Sequence, residues 1–211
     1  MTDQNKRHVE IVLDRSGSME LIKEDAEGGL REFIRKLGEI NMPTTVTLNQ
    51  FDDHYETVFA NRPLGRVPEW HLVPRGSTAL RDAMGLTINA LGERLAAMDE
   101  ADRPGKVILV IQTDGKENAS REFGRDQIRS MITVQQDKWN WDFVFLGADQ
   151  DAIAAANDYG IGANSSMSYD KANTVGTYAA TGDAVNRSSL AGAGARTKFT
   201  DQEREDAAKS K

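Results

Sequence analysis

Two short runs, Val107–Ile111 and Phe143–Leu146, are apolar at every position. A strand with one face in water alternates polar and apolar residues. A strand apolar throughout needs cover on both faces, which suits parallel strands between two helix layers. Other β-branched runs, Val9–Leu13, Thr45–Phe51 and Thr57–Ala60, precede them, and Val107–Gln112 completes the fourth. Between most of these lie stretches of helical spacing. Leu21, Ile22, Ala26, Leu30, Phe33, Ile34 and Leu37 form one stripe, and Leu80, Met84, Ile88, Leu91, Leu95 and Met98 a second. Phe123, Ile128, Met131 and Ile132 mark a third; Ile153, Ala156 and Tyr159 mark a short fourth that ends at Gly160.

The segments 45–51 and 57–60 lie close together around Asp52-Asp53-His54. They read as an antiparallel hairpin whose second strand is a sheet edge. A weaker strand follows at Ser166–Tyr169, then a helix over roughly 173–190, weakened by Gly176 and Gly182. The pattern implies an α/β, doubly wound, mostly parallel sheet with one antiparallel edge strand and helices on both faces, Rossmann-like. Residues 1–190 read as one domain. Residues 191–211 read as a flexible link, Ala-Gly-Ala-Gly-Ala-Arg, followed by a short helix over about 201–208. Thr200-Asp201-Gln202-Glu203 is a capping box there, with Phe199 at the staple position.

Composition excludes several functions. The formal net charge of −7 and the lack of a basic patch argue against binding nucleic acid or an anionic membrane. No cysteine is present, so disulfides, thiol nucleophiles and thiolate–zinc sites are ruled out. Met1–Lys6 is polar and runs straight into a strand, with no secretory signal visible, and no apolar run could span a bilayer. A cytoplasmic location is the default expectation. No strand is followed by Gly-x-Gly-x-x-Gly, and no Gly-x-x-x-x-Gly-Lys-Ser/Thr phosphate loop occurs, so nucleotide use by this chain is not expected.

In such a sheet, ligands sit beyond the carboxyl ends of the strands. The first strand leads into Asp14-Arg15-Ser16-Gly17-Ser18, which puts a carboxylate and two hydroxyls at alternate positions. These are hard oxygens suited to Mg2+, Mn2+ or Ca2+, but too few to fill an octahedral shell. The fourth strand ends in Thr113-Asp114-Gly115, and the loop before the second long helix reads Gly76-Ser77-Thr78-Ala79-Leu80. Both loops open on the same edge in the strand order 3-2-1-4-5-6. Taken singly, Ser16, Ser18 and Thr78 read as helix caps and Asp114-Gly115 as a turn. Taken together, five oxygen donors from three segments read as a metal site.

This constellation resembles the von Willebrand factor A-type (VWA) domain and its metal-ion-dependent adhesion site (MIDAS), over roughly residues 6–190. The family pattern is Asp-x-Ser-x-Ser, a later Thr, then Asp followed by Gly. Asp14, Ser16, Ser18, Thr78 and Asp114 match it in order and spacing. Residues 143–153 resemble a fifth strand and helix common in stand-alone bacterial and phage cytoplasmic members. The resemblance implies that Ser16, Ser18 and Thr78 ligate the ion directly, while Asp14 and Asp114 act largely through water. It implies a sixth position open to a Glu or Asp of a partner protein. It also implies work within multi-protein assemblies, sometimes beside AAA+ ATPases. The leading expectation is therefore a metal-dependent protein-binding module and not an enzyme. The alternatives are an Mg2+-dependent phosphoryl-transfer or hydrolytic enzyme, and a structural subunit with a vestigial site.

Other residues near these loops invite milder readings. Asp82, in a first helical turn, reads as structural or as a support of the site. Glu20, Glu117, Asp149 and Asp151 form either a solvated rim or a partner-selecting ring. His8, His54 and His71 show no ligating spacing. Trp70 either packs under the Thr78 loop or stands on the binding face, and Trp139 and Trp141 read as packing. Leu72-Val73-Pro74-Arg75-Gly76-Ser77 matches a thrombin-type cleavage sequence but runs into the Thr78 loop, and so reads as native chain.

Overall fold

The computed structural model describes residues 2–148 and 151–209. Six strands form one sheet: β1 (Asp3–Asp14), β2 (Thr44–Phe51), β3 (Tyr55–Pro63), β4 (Pro104–Thr113), β5 (Asp142–Ala148) and β6 (Ser166–Tyr169). Their order is β3-β2-β1-β4-β5-β6, and every pair is parallel except β2 with β3. The antiparallel edge strand and the doubly wound topology are those that the sequence pattern implies. The helices are α1 (Lys23–Leu37), α2 (Leu80–Ala96), α3 (Arg125–Trp139), α4 (Ala152–Asp158), α5 (Thr174–Leu190) and α6 (Asp201–Ala207).

The continuously apolar strands serve two cores. Ile108 and Val110 pack with Leu30 and Phe33 of α1 and Val185 of α5. Leu109 and Ile111 pack on the opposite face with Met84 and Ile88 of α2 and Ile128 of α3. Strand alternation thus feeds both layers. Gly182 lets α5 close onto α1, because a Cβ there would lie 2.5 Å from Cβ of Lys36. The glycine that weakened the helical pattern is a packing contact. Among the described residues, no helix is long and apolar enough to cross a membrane.

Three expected packing residues face solvent, Ile153 of α4 among them at 39% exposure. Leu21 is 82% exposed, because Gly17–Ile22 forms a 3-10 turn that breaks phase with α1. Trp139 is 63% exposed, whereas Trp141 is buried. Between them Asn140 takes a left-handed conformation, φ 55°, that ends α3 and turns the chain.

Residues 195–199 are held against the sheet. Thr197 is buried, and both its backbone N–H and its hydroxyl donate to Asp142 Oδ2 at 2.7 Å. Lys106 Nζ lies 3.2 Å from the same oxygen and also donates to the Ala195 carbonyl. Burial pulls the Lys106 ammonium below its ordinary pKa, and the Asp142 carboxylate opposes that. The α6 capping box forms as its sequence implies, with Thr200 and Glu203 each satisfying the other's backbone N–H.

Candidate metal centre

β1 and β4 run side by side with Leu13 opposite Gln112. Their next residues, Asp14 and Thr113, therefore leave the sheet together. Thr113 Oγ1 donates to Asp14 Oδ2 at 2.6 Å, and the Ser16 backbone N–H donates to Oδ1 at 2.6 Å. Asp14 is fully buried. Burial pushes its carboxyl up to about 6, the Asp114 charge adds to this, and the Thr113 and Ser16 donors work against it.

Ser16 and Ser18 follow on the 3-10 turn. Their hydroxyl oxygens are 3.1 Å apart, and Ser18 Oγ donates to Asp114 Oδ1 at 2.6 Å. Ser16 makes no side-chain capping bond, and the residue at the N-cap of α2 is Ala79, not Thr78. Ser16 thus holds the N-cap position of the turn without spending its hydroxyl on the cap, and Thr78 lies one residue ahead of the α2 cap. Thr78 is instead fixed by the loop after β4, its N–H donating to Asn118 Oδ1 at 2.9 Å.

Gly115 shows where the three hydroxyls meet. A Cβ built on it would lie 2.8 Å from Thr78 Oγ1, 3.6 Å from Ser18 Oγ and 3.7 Å from Ser16 Oγ. Two loops far apart in sequence thus aim three hydroxyls at one spot, which Gly115, from a third, leaves uncrowded. Asp114 Oδ2 borders it, buried and without an aligned hydrogen-bond donor. Its neighbour is the Lys171 ammonium at 3.0 Å, close enough to pair in charge.

The acidic residues around this spot are already engaged. Glu117 accepts from the backbone N–H groups of Arg81, Ala119 and Ser120 and from the Ser120 hydroxyl, at 2.7–3.1 Å. Asp82 accepts from the N–H groups of Arg121, Glu122 and Phe123 at 2.7–3.0 Å. These contacts latch the loop after β4 onto the start of α2. Asp151 caps α4 by accepting from Ala154 N–H at 3.0 Å. Glu117 and Asp151 are thus structural, Glu20 is exposed, and Asp149 lies outside the described residues. Trp70 is buried in the core cluster that includes α1, with the Arg31 guanidinium 5.7 Å from its ring centre.

Asp52, Asp53 and His54 also bring three possible ligand atoms within 4.8 Å. Asp52 Oδ2, however, pairs with Arg15 at 3.0 Å and Arg75 at 2.7 Å, and its Oδ1 accepts from His54 N–H at 2.6 Å. It is an ion-pair hub that joins the two loops, with its charge already matched. His8, unremarkable in the sequence, is buried and bonded to Glu10 at 2.8 Å. The sequence reading missed Thr113, Asn118 and Lys171. Thr113 and Asn118 flank the recognised Asp114-Gly115 pair, a signal that was available; Lys171 carries none.

No protein-family model matches the sequence, and no curated protein matches it either. Solved structures do match. Proximal thread matrix protein 1 from the mussel byssus aligns with a TM-score of 0.62 and 13% identity over 84% of this chain and 47% of that one. A structure of the same protein has a zinc-occupied MIDAS motif, with TM-score 0.61 and 12% identity over 82% and 46%. The von Willebrand factor type A protein from Catenulispora acidiphila gives 0.60 and 14% over 85% and 42%. Manganese-loaded TRAP protein of Plasmodium vivax gives 0.55 and 14% over 82% and 72%. This chain spans less than half the length of the mussel and Catenulispora chains. The shared fold is that of VWA domains, including members that hold divalent metal.

Proposed function

We propose that this chain is a metal-ion-dependent protein-binding module of the VWA type. The observation that carries the reading is the convergence of the Ser16, Ser18 and Thr78 hydroxyls beside Gly115, between the Asp14 and Asp114 carboxylates. The residues fit a hard dication. All five donors are oxygens, and Asp114 Oδ2 is buried with no aligned donor. Ser16, Ser18 and Thr78 would hold the ion directly, with Asp14 and Asp114 anchoring it. The oxygen set favours Mg2+ or Mn2+, with Ca2+ third because it wants more ligands. When bound, the ion supplies a positive centre for an anionic ligand.

We assign that ligand to a Glu or Asp of a partner protein, not to a substrate. Glu117 and Asp82 each spend their carboxylates on three or more donors, so neither is poised as a general base. Leu21 and Val73, 82% and 61% exposed, stand in the same loops as Ser18 and Thr78. Apolar side chains beside a charged centre suit a protein surface. The resemblance to bacterial and phage members favours a cytoplasmic assembly as the partner, with an AAA+ ATPase one candidate.

The test is affinity capture from native lysate with Mn2+ or EDTA, comparing wild type with Asp14→Ala. Partners retained only by wild type with metal support the reading. Equal recovery under all conditions sinks it.

A further inference from the structure

The cluster proposed to hold a dication already has a cation of its own. Lys171 belongs to a 3-10 turn, Lys171–Asn173, between β6 and α5. Its ammonium sits 3.0 Å from Asp114 Oδ2, whose side chain is fully buried, while the lysine side chain keeps 22% exposure. The turn is braced. The Asp170 side chain accepts from Ala172 N–H at 2.8 Å, and Thr174 Oγ1 donates to the Lys171 carbonyl at 2.7 Å. Asp170 N–H donates to the Ala207 carbonyl at 3.0 Å, which ties the turn to the end of α6.

We propose that Lys171 is a built-in counter-cation that competes with the divalent ion for Asp114 and sets how tightly that ion is held. The proposal rests on the metal-site reading above. Asp14 and Asp114 together offer two negative charges, and the ammonium cancels one of them before any metal arrives. A dication entering beside Asp114 meets a like charge in a poorly solvated place, where charges separated by a few ångströms interact far more strongly than in water. The ammonium either stays and repels the ion or swings out through its exposed side and leaves Asp114 to it. Both routes weaken metal binding relative to a chain without the lysine. The contact is an ion pair without hydrogen-bond alignment, which suits a partner that yields. An acidic ligand that binds the ion would restore the lost attraction, so metal and partner would bind best together.

Calorimetric titration with Mn2+ and melting in EDTA or saturating Mn2+ test this on wild type, Lys171→Met and Lys171→Arg. A charge within about 4–6 Å typically shifts a carboxylate's proton affinity by tenfold or more, and a dication at the same carboxylate meets the same field. Lys171→Met is expected to bind Mn2+ at least about tenfold more tightly than wild type, and Lys171→Arg to remain near wild type. Lys171→Met should also melt lower in EDTA yet gain more from Mn2+. A merely structural lysine would lower both melting temperatures together. Equal or weaker Mn2+ binding by Lys171→Met overturns the counter-cation and leaves the metal site standing. No Mn2+ binding by any of the three chains overturns both.

Discussion

Gly115 and Thr113 do for this site what no ligand can do for itself. Gly115 keeps clear the place where three hydroxyls meet. Gly115→Ala would put a methyl 2.8 Å from Thr78 Oγ1. We expect it to abolish Mn2+-induced stabilisation, with the EDTA melting temperature lowered only modestly; an unchanged Mn2+ response would count against the assignment. Thr113→Val removes the 2.6 Å donor to Asp14 Oδ2. Groups that orient ligands typically cost 10–100-fold in metal affinity when lost, so a loss of about that size is expected by titration. A third residue lies far from the site. Burial alone would raise the Glu10 carboxyl, but His8, Arg94 and Asn49 outweigh it and hold Glu10 below its ordinary value. A depressed carboxylate contributes stability above its unfolded pKa and loses it as pH falls through the folded one. Glu10→Gln leaves His8 and Arg94 without that charge, and should cost about 3 kcal/mol at pH 7. In denaturant titrations the gap from wild type should narrow as pH falls below about 4; a gap constant from pH 7 to 3 would refute this.

Loops and helices show the same economy of contacts. The segment 72–77 carries a thrombin-type sequence, yet its backbone is pinned. Arg75 N–H donates to the Arg15 carbonyl at 2.8 Å, and Gly17 N–H to the Gly76 carbonyl at 3.2 Å. Leu72 is buried, and Arg75 Nε donates to Asp52 at 2.7 Å. A protease needs that stretch extended and its arginine free. Folded protein should therefore resist thrombin while urea-loosened protein is cut after Arg75; equal cleavage rates on gels would show a mobile loop. At this scale the strands, their order and the helix stripes were legible, because period and apolar content carry them. So was the meeting of the Asp14, Thr78 and Asp114 loops, because strand order brings them to one edge. The exposure of Leu21 was not, since a 3-10 turn shifts phase without changing residue types. Nor was Lys171, because a lysine before a helix looks like any surface residue until topology brings β6 near β4.

Across the whole molecule, the C-terminal tail joins the two ends of the sheet. Near the start of β5, Asp142 receives Thr197 and Lys106, two bonds and an ion pair at 2.7–3.2 Å. The tail then climbs the β6 edge. Phe199 N–H donates to the Asn164 carbonyl at 3.0 Å, and the Arg204 guanidinium donates to the carbonyls of Ala163, Asn164 and Ser166 at 2.5–3.0 Å. At the top, the Ala207 carbonyl accepts from Asp170, one residue before Lys171. An edge strand without such cover exposes unpaired backbone. Cutting the chain after Leu190 would strip this cover and take from Lys106 and Asp142 the partners that Ala195 and Thr197 supply. Two consequences follow. Stability should fall by about 3 kcal/mol or more, since buried polar groups lose their partners. Hydrogen exchange should rise along 163–173, and much less in β1 and α2. If exchange rose evenly over the molecule, the tail would be acting as a general clamp, not as the brace of β6 and the Lys171 turn. If neither stability nor exchange changed, the contacts that hold Thr197 and Phe199 would contribute nothing to the fold.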